Sequence, residues 1–362
     1  MKHSGLAKIA FYLLISTGAS PRQAGVEPVA RRPVTVSQLA EILEKAKALS
    51  DDDAAKEVEH VELTERLSSP ELARLTGELS GAKSKAALMA VGDTSVFLDP
   101  PPSEMLAKAA PNADEQRQIV SRASDYLKKI IPRLPDFYAK RITTAFRVAW
   151  TPKDRLGSHE PGVLGLRGKF QARVLYRNGK EVVRAEGTEE LNLITRGTFG
   201  PILSIVIKDN LRSPMQWHGW QAGPNGAMAV LQFQVPQQES HYQVSFGGLP
   251  FGGAGILVSG RPTGYRGEIG IDPDTGTILR LVLRSDPVLG FRFSGHADLM
   301  LEYGSVAIGG KTYTCPVRGV SRSTARYQQM GIIRRENAFI LLDDVVFTDY
   351  HVFRSEMRIV PN

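Results

Sequence analysis

This sequence of 362 residues has a single cysteine, Cys315, so no intramolecular disulfide framework can form. Beyond its first residues, no run approaches the roughly 20 apolar residues that a membrane-spanning helix needs. The mature chain is therefore expected to have no transmembrane span. The seven histidines include no His-Glu-x-x-His pattern or other close ligand spacing, and no second cysteine exists, so no metal is expected. No glycine-rich loop continues into Gly-Lys-Ser/Thr and a helix, which excludes a phosphate-binding loop. No dense basic and aromatic stripe occurs, so no nucleic acid is expected as a partner. The chain is 42% hydrophobic and 23% charged, close to the globular average, which excludes a disordered or collagen-like chain.

What is present begins with an export pattern. Lys2 and Lys8 precede the apolar run Ile9 to Ile15, and Thr17-Gly18-Ala19 supplies small residues at a cleavage position. A signal peptide over 1–19 is expected, and with it an exported, periplasmic or outer-envelope location. Cutting after Ala19 removes two lysines, taking the formal charge from +7 to +5. Residues 20–36 read as a polar, proline-containing linker.

From 37 to 135 the apolar period is helical. Leu39, Ile42, Leu43 and Ala46 follow the cap Ser37, and Asp51-Asp52-Asp53 opens a second helix with Ala54, Ala55, Val58 and Val61 as its apolar positions. Ser69-Pro70-Glu71 opens a third, and a fourth is expected over 83–91. A longer helix is expected over about 114–131, ended by Pro132 and Pro135. Between Ser37 and Ala90 there are 11 acids and 7 bases, a balance of −4, while the remainder carries +11. The front is acidic and the rest is basic.

From about 142 to 362 the period changes to 2. Roughly ten strands are expected, joined by short turns such as Asn178-Gly179 and Pro273-Asp274-Thr275-Gly276, so neighbours are antiparallel. The apolar segment 192–210, with Phe199, Leu203, Val206 and Ile207 inward, is expected to lie across this sheet. The fold class is α+β: an N-terminal helical domain, then a large curved antiparallel sheet around a helix.

Chemistry is sparse. Asp349, His351 and Ser355 share one strand face, but a rise of about 3.3 Å per residue separates His351 from Ser355 by about 13 Å, too far for a triad. Glu268 and Asp272 are equally far apart, beyond a glycosidase carboxylate pair. The candidate ligand-binding residues are Trp217 and Trp220, in the ring-rich Trp-His-Gly-Trp stretch, and Leu249 and Phe251, in the glycine-rich loop 247–255. Arg261, Arg266, Arg280 and Arg284 alternate along strands and read as a solvated face.

Three blocks carry a resemblance. They are Gly267-Glu268-Ile269-Gly270-Ile271-Asp272-Pro273-Asp274-Thr275-Gly276, then Tyr303-Gly304 through Gly309-Gly310-Lys311 to Pro316-Val317, then Tyr350-His351-Val352-Phe353. Together they resemble uncharacterised exported bacterial proteins and, more distantly, the outer-membrane lipoprotein-sorting (LolA-like) half-barrels. That resemblance implies a curved sheet whose apolar concave face shelters acyl chains. The long acidic front half departs from those carriers. The expected role is therefore non-catalytic binding of a lipid, acylated or apolar ligand, with no cofactor. The alternative is a structural or interaction protein with a self-filled half-barrel and an envelope protein partner on the helical domain. A hydrolase is the third reading.

Overall fold

The computed structural model describes residues 31–150, 163–185, 198–210, 215–244, 262–290, 293–329 and 335–353. Among these it is α+β, with six α-helices and an open antiparallel sheet of eleven strands. The expected signal peptide lies outside the described residues.

The helical half opens with a strand, β1 (Arg32–Val34), where the sequence reads as linker. It pairs in parallel with β2 (Val61–Leu63), so Val61 belongs to a strand and not to the preceding helix. Between them lie α1 (Val36–Ala46) and α2 (Asp51–Glu59). A reciprocal box starts α1: Gln38 N–H donates to the Thr35 hydroxyl, and Thr35 N–H donates to the Gln38 side chain. Ser50 caps α2, whose first turn carries three aspartates against the positive end of the helix dipole. Helices α3 (Ser69–Glu78) and α4 (Ala82–Ser95) complete the unit. Leu39, Leu43, Val58, Leu75 and Leu88 form its core.

Helix α5 (Ala113–Ile130) follows, started by a box between Asn112 and Glu115. The sequence assigns it to the helical domain, but Ile119, Ala123 and Leu127 pack into the core of the sheet. These three are its buried residues, and they form one stripe that faces the strand layer.

The sheet begins with β3 (Phe137–Trp150), β4 (Gly165–Arg177) and β5 (Lys180–Ala185), which run out to one edge. The chain then passes α6 (Pro201–Asp209) to β6 (Gln216–Gly223) at the opposite edge. It returns through β7 (Gly226–Val235), β8 (Tyr265–Ile271), β9 (Ile278–Ser285), the short β10 (Val288–Gly290), β11 (Phe293–Ile308), β12 (Lys311–Gln329) and β13 (Arg335–Val352). β13 pairs with β3, so the first and last strands of the sheet lie side by side. The sheet therefore closes its path in the middle and leaves its edges at β5 and β6.

Both faces of the central strands are buried. Leu281, Leu283, Leu299 and Leu301 face α5 and α6. Their neighbours Val282 and Met300, with Phe146, Val320 and Leu342, face Ala90, Val96 and Phe97 at the end of α4. The former is the first face of the sheet and the latter its second face.

The second face is also fastened by charge. Arg318 on β12 reaches Asp93 of α4, donates through Nε to Asp344 of β13 at 2.8 Å, and donates to the Ser69 hydroxyl at the start of α3. Ser69 in turn donates to both oxygens of Glu302 on β11, at 2.8 and 2.7 Å. Asp93 is fully buried, and only 12% of the Arg318 side chain is exposed. Arg280 donates to the carbonyl of Val96 at 2.9 Å, so it ties down the end of α4 and is not part of a solvated face. Arg322, paired with Asp298, lies 4.8 Å from the ring of Phe97. The acidic front and the basic remainder meet here.

Replacing Arg318 with methionine leaves two buried aspartates unmatched and should cost about 3–5 kcal/mol in denaturant unfolding. Burial, with Asp344 beside it, raises the Asp93 carboxyl well above its usual range, against the opposing pull of Arg318. A group whose folded pKa is raised contributes its stability at low pH and loses it as pH rises through the folded value. Asp93→Asn, which stays neutral, should therefore match the natural protein below the ordinary aspartate range and gain on it as pH rises above that range, as read from urea midpoints.

Candidate functional site

Two helices of the chain, α5 and α6, cover the first face. Pro201 sets the first turn of α6, and Ile202, Leu203, Val206 and Ile207 recur on one side of it. They pack with Ile119, Ala123 and Leu127 of α5 against Leu231, Phe233, Ile269, Ile271, Leu281 and Leu283. Phe199, just before α6, fills the space between Phe137 and Phe347, with ring centres 5.3 Å from each. Cys315 is buried in this aromatic group, and burial pushes its thiol up to about 12, so it stays protonated and inert.

Polar contacts fasten α6 at both ends. Ahead of it, the Thr198 backbone N–H donates to Glu181 of β5 at 2.9 Å, and the Tyr303 hydroxyl donates to the Thr198 carbonyl at 3.1 Å. At its last residue, the buried Asp209 carboxylate accepts three bonds. They come from His241 N–H at 2.9 Å, His241 Nδ1 at 2.6 Å and the Tyr265 hydroxyl at 2.9 Å. Nδ1 of His241 is thus the donor, which leaves Nε2 to accept from Lys208 at 3.3 Å. Burial, the charge of Asp209 and the bond to it raise the Tyr265 hydroxyl well above its usual range, so it remains a donor.

This acid–imidazole pair is the nearest approach to hydrolase chemistry among the described residues. It lacks the third member: the Tyr265 hydroxyl donates to the carboxylate, and the outer nitrogen faces an ammonium. The pair on the last strand is no closer to a triad. His351 lies tilted against Tyr138, with ring centres 5.2 Å apart, Asp349 sits exposed at a bulge with φ 52°, and Ser355 lies outside the described residues.

Of the candidate ligand-binding residues, Trp220 is buried in the first-face core, and half-buried Trp217 meets it edge-on at 4.9 Å. Trp220 Nε1 donates to the Ala109 carbonyl at 2.9 Å, and Lys108 Nζ sits 4.1 Å from its ring centre. Both indoles are thus packed by the chain itself. Leu249 and Phe251 lie outside the described residues.

A second cluster lies across the junction, and spacing along the chain gave no sign of it. Asp99, just past α4, His218 on β6 and Glu268 on β8 place one donor atom each within 4.8 Å of the others. His218 is the extra residue of a bulge, because Trp217 opposes Leu231 while Gly219 opposes Val230. The bulge turns the imidazole toward Glu268. His218 Nε2 stands 3.9 Å from Glu268 Oε1, beyond hydrogen-bond reach, and Gln232 Nε2 donates to that same oxygen at 3.1 Å. Asp272, the other carboxylate of that strand, instead accepts from the backbone of Asp274 and Thr275 and shapes the turn.

Truncating Asp209 to alanine removes the acceptor for three donors and should cost about 3 kcal/mol, whereas Tyr265→Phe removes one bond and should cost about 1 kcal/mol. Chemical unfolding checks both values, and amide exchange should locate the loss at α6. No family model, no curated protein and no solved structure matches this chain.

Proposed function

We propose that this is a non-catalytic protein of the bacterial envelope. In this reading its sheet bends as a half-barrel filled by its own helices α5 and α6, and it acts by meeting another protein. One observation carries it: the apolar first face, where a carried ligand would have to lie, is packed by Ile119, Ala123, Leu127, Ile202, Leu203 and Val206. Close packing of this kind is what a fixed scaffold needs. The partner surface is the outer side of α1 and α2, where Glu41, Asp52, Asp53 and Glu57 are exposed.

A second reading, a carrier of lipid or acylated guests, has its own support. The cover α6 is held at its ends by polar bonds to Glu181, Tyr303, His241 and Tyr265, which water can replace, and it joins the sheet otherwise by apolar contact. Such a helix can be exchanged for a guest.

The two readings differ in what the protein holds when isolated. Native mass spectrometry of the full chain, purified from the envelope fraction and paired with lipid extraction, should show the bare polypeptide mass. A co-purifying lipid at near one per chain overturns the scaffold reading. In that case Asp209→Ala, which loosens α6, should change the occupancy.

A further inference from the structure

We propose that Asp99, His218 and Glu268 form a binding site for one divalent transition-metal ion of the zinc type, joining the helical half to the sheet. The donor set is one imidazole nitrogen and two carboxylates. Imidazole favours zinc and its neighbours over magnesium and calcium, which prefer all-oxygen shells. Two carboxylate charges balance a doubly charged ion. The donors lie within 4.8 Å of one another, and donors around a tetrahedral zinc stand about 3.3–3.4 Å apart, so small side-chain rotations bring them onto one ion.

Three features argue against a chance encounter of side chains. First, the residues come from three separate elements, one of them across the junction between the two halves. Second, the bulge at His218 interrupts the ladder of an edge strand, and it is what places the ring beside Glu268. Third, Glu268 already has an orienting neighbour: Gln232 donates to it at 3.1 Å. That is the arrangement in which an outer partner fixes the angle of a ligating carboxylate. The 3.9 Å gap between Nε2 and Oε1 is also longer than a direct hydrogen bond between the two would set.

Three protein donors leave a coordination position for water, on the exposed side of Asp99. The ion would act as a clasp. Asp99 follows α4, whose end already rests on the second face through Val96 and Phe97. Metal binding would add a bond to that contact.

The test uses the full chain stripped with chelator, then titrated calorimetrically with zinc chloride and, separately, magnesium chloride. The expected result is one zinc per chain, no magnesium binding at millimolar concentration, and a rise in Tm with zinc. Asp99→Asn and Glu268→Gln should each weaken zinc at least tenfold and remove most of the Tm rise. Gln232→Leu should weaken it by a smaller factor. Asp99 is exposed, so its variant keeps the natural fold, verified by an unchanged Tm without metal. Absence of zinc binding overturns the proposal. So does binding of equal strength in Asp99→Asn and Glu268→Gln, which would locate the ion elsewhere.

Discussion

A strand that is apolar on both sides cannot face water on either. Leu281-Val282-Leu283 on β9 and Leu299-Met300-Leu301 on β11 are each fully buried triplets, so successive side chains point to opposite, equally dry faces. That constraint fixes the architecture. One cover is needed for Leu281, Leu283, Leu299 and Leu301, and α5 and α6 supply it. Another is needed for Val282 and Met300, and the end of α4 supplies that. The helical half is therefore one of the two layers without which the middle of the sheet would be wet on one side. It is not an appendage.

The second cover brings charge with it, and the chain resolves this by pairing. Arg318 would be costly beneath a helix if it stood alone. It lies instead between Asp93 and Asp344, with Glu302 reached through Ser69. Ion pairs at low exposure contribute little net stability against a well-packed apolar alternative. What they impose is position: a guanidinium that must satisfy two carboxylates and a hydroxyl admits few placements of α3 and α4 over β12. Apolar contact holds the halves together, and this network sets where they sit.

Sequence patterning reached the parts of this design that depend on near neighbours. Asn178-Gly179 reads as a tight turn and is one, with φ of 50° and 73°. The turn after β8 is built as its residues suggest, and Gly276 is required there because an added Cβ would lie 2.5 Å from the backbone of Arg122 in α5. Strand β12 runs on through Pro316, which lacks a backbone donor: Tyr303 opposes Pro316 and Glu302 opposes Arg318, so an irregularity absorbs the proline. The three-residue strands β1 and β2 carry too little pattern to register. The placement of α5, the Asp93 to Arg318 contact and the meeting of Asp99, His218 and Glu268 join residues far apart in the chain. No local period encodes such contacts. Arg280 illustrates the limit: alternation says which face it takes, not that a helix end waits there.

The packed first face also bounds what a guest would have to be. Lifting α6 would return Ile202, Leu203, Val206 and Ile207 to water, at about 1.5–3 kcal/mol each, or about 6–12 kcal/mol together. A guest regains about 0.8 kcal/mol for each methylene it buries. About 8–15 methylenes are then needed merely to break even, before the bonds to Asp209 and Glu181 are replaced. Short apolar ligands and single side chains of a peptide fall below that threshold. A long acyl chain reaches it, and so would a second apolar helix. The same arithmetic explains why the helix is the resting occupant: it is already tethered, so it takes the face without the loss of translational freedom that any free ligand incurs.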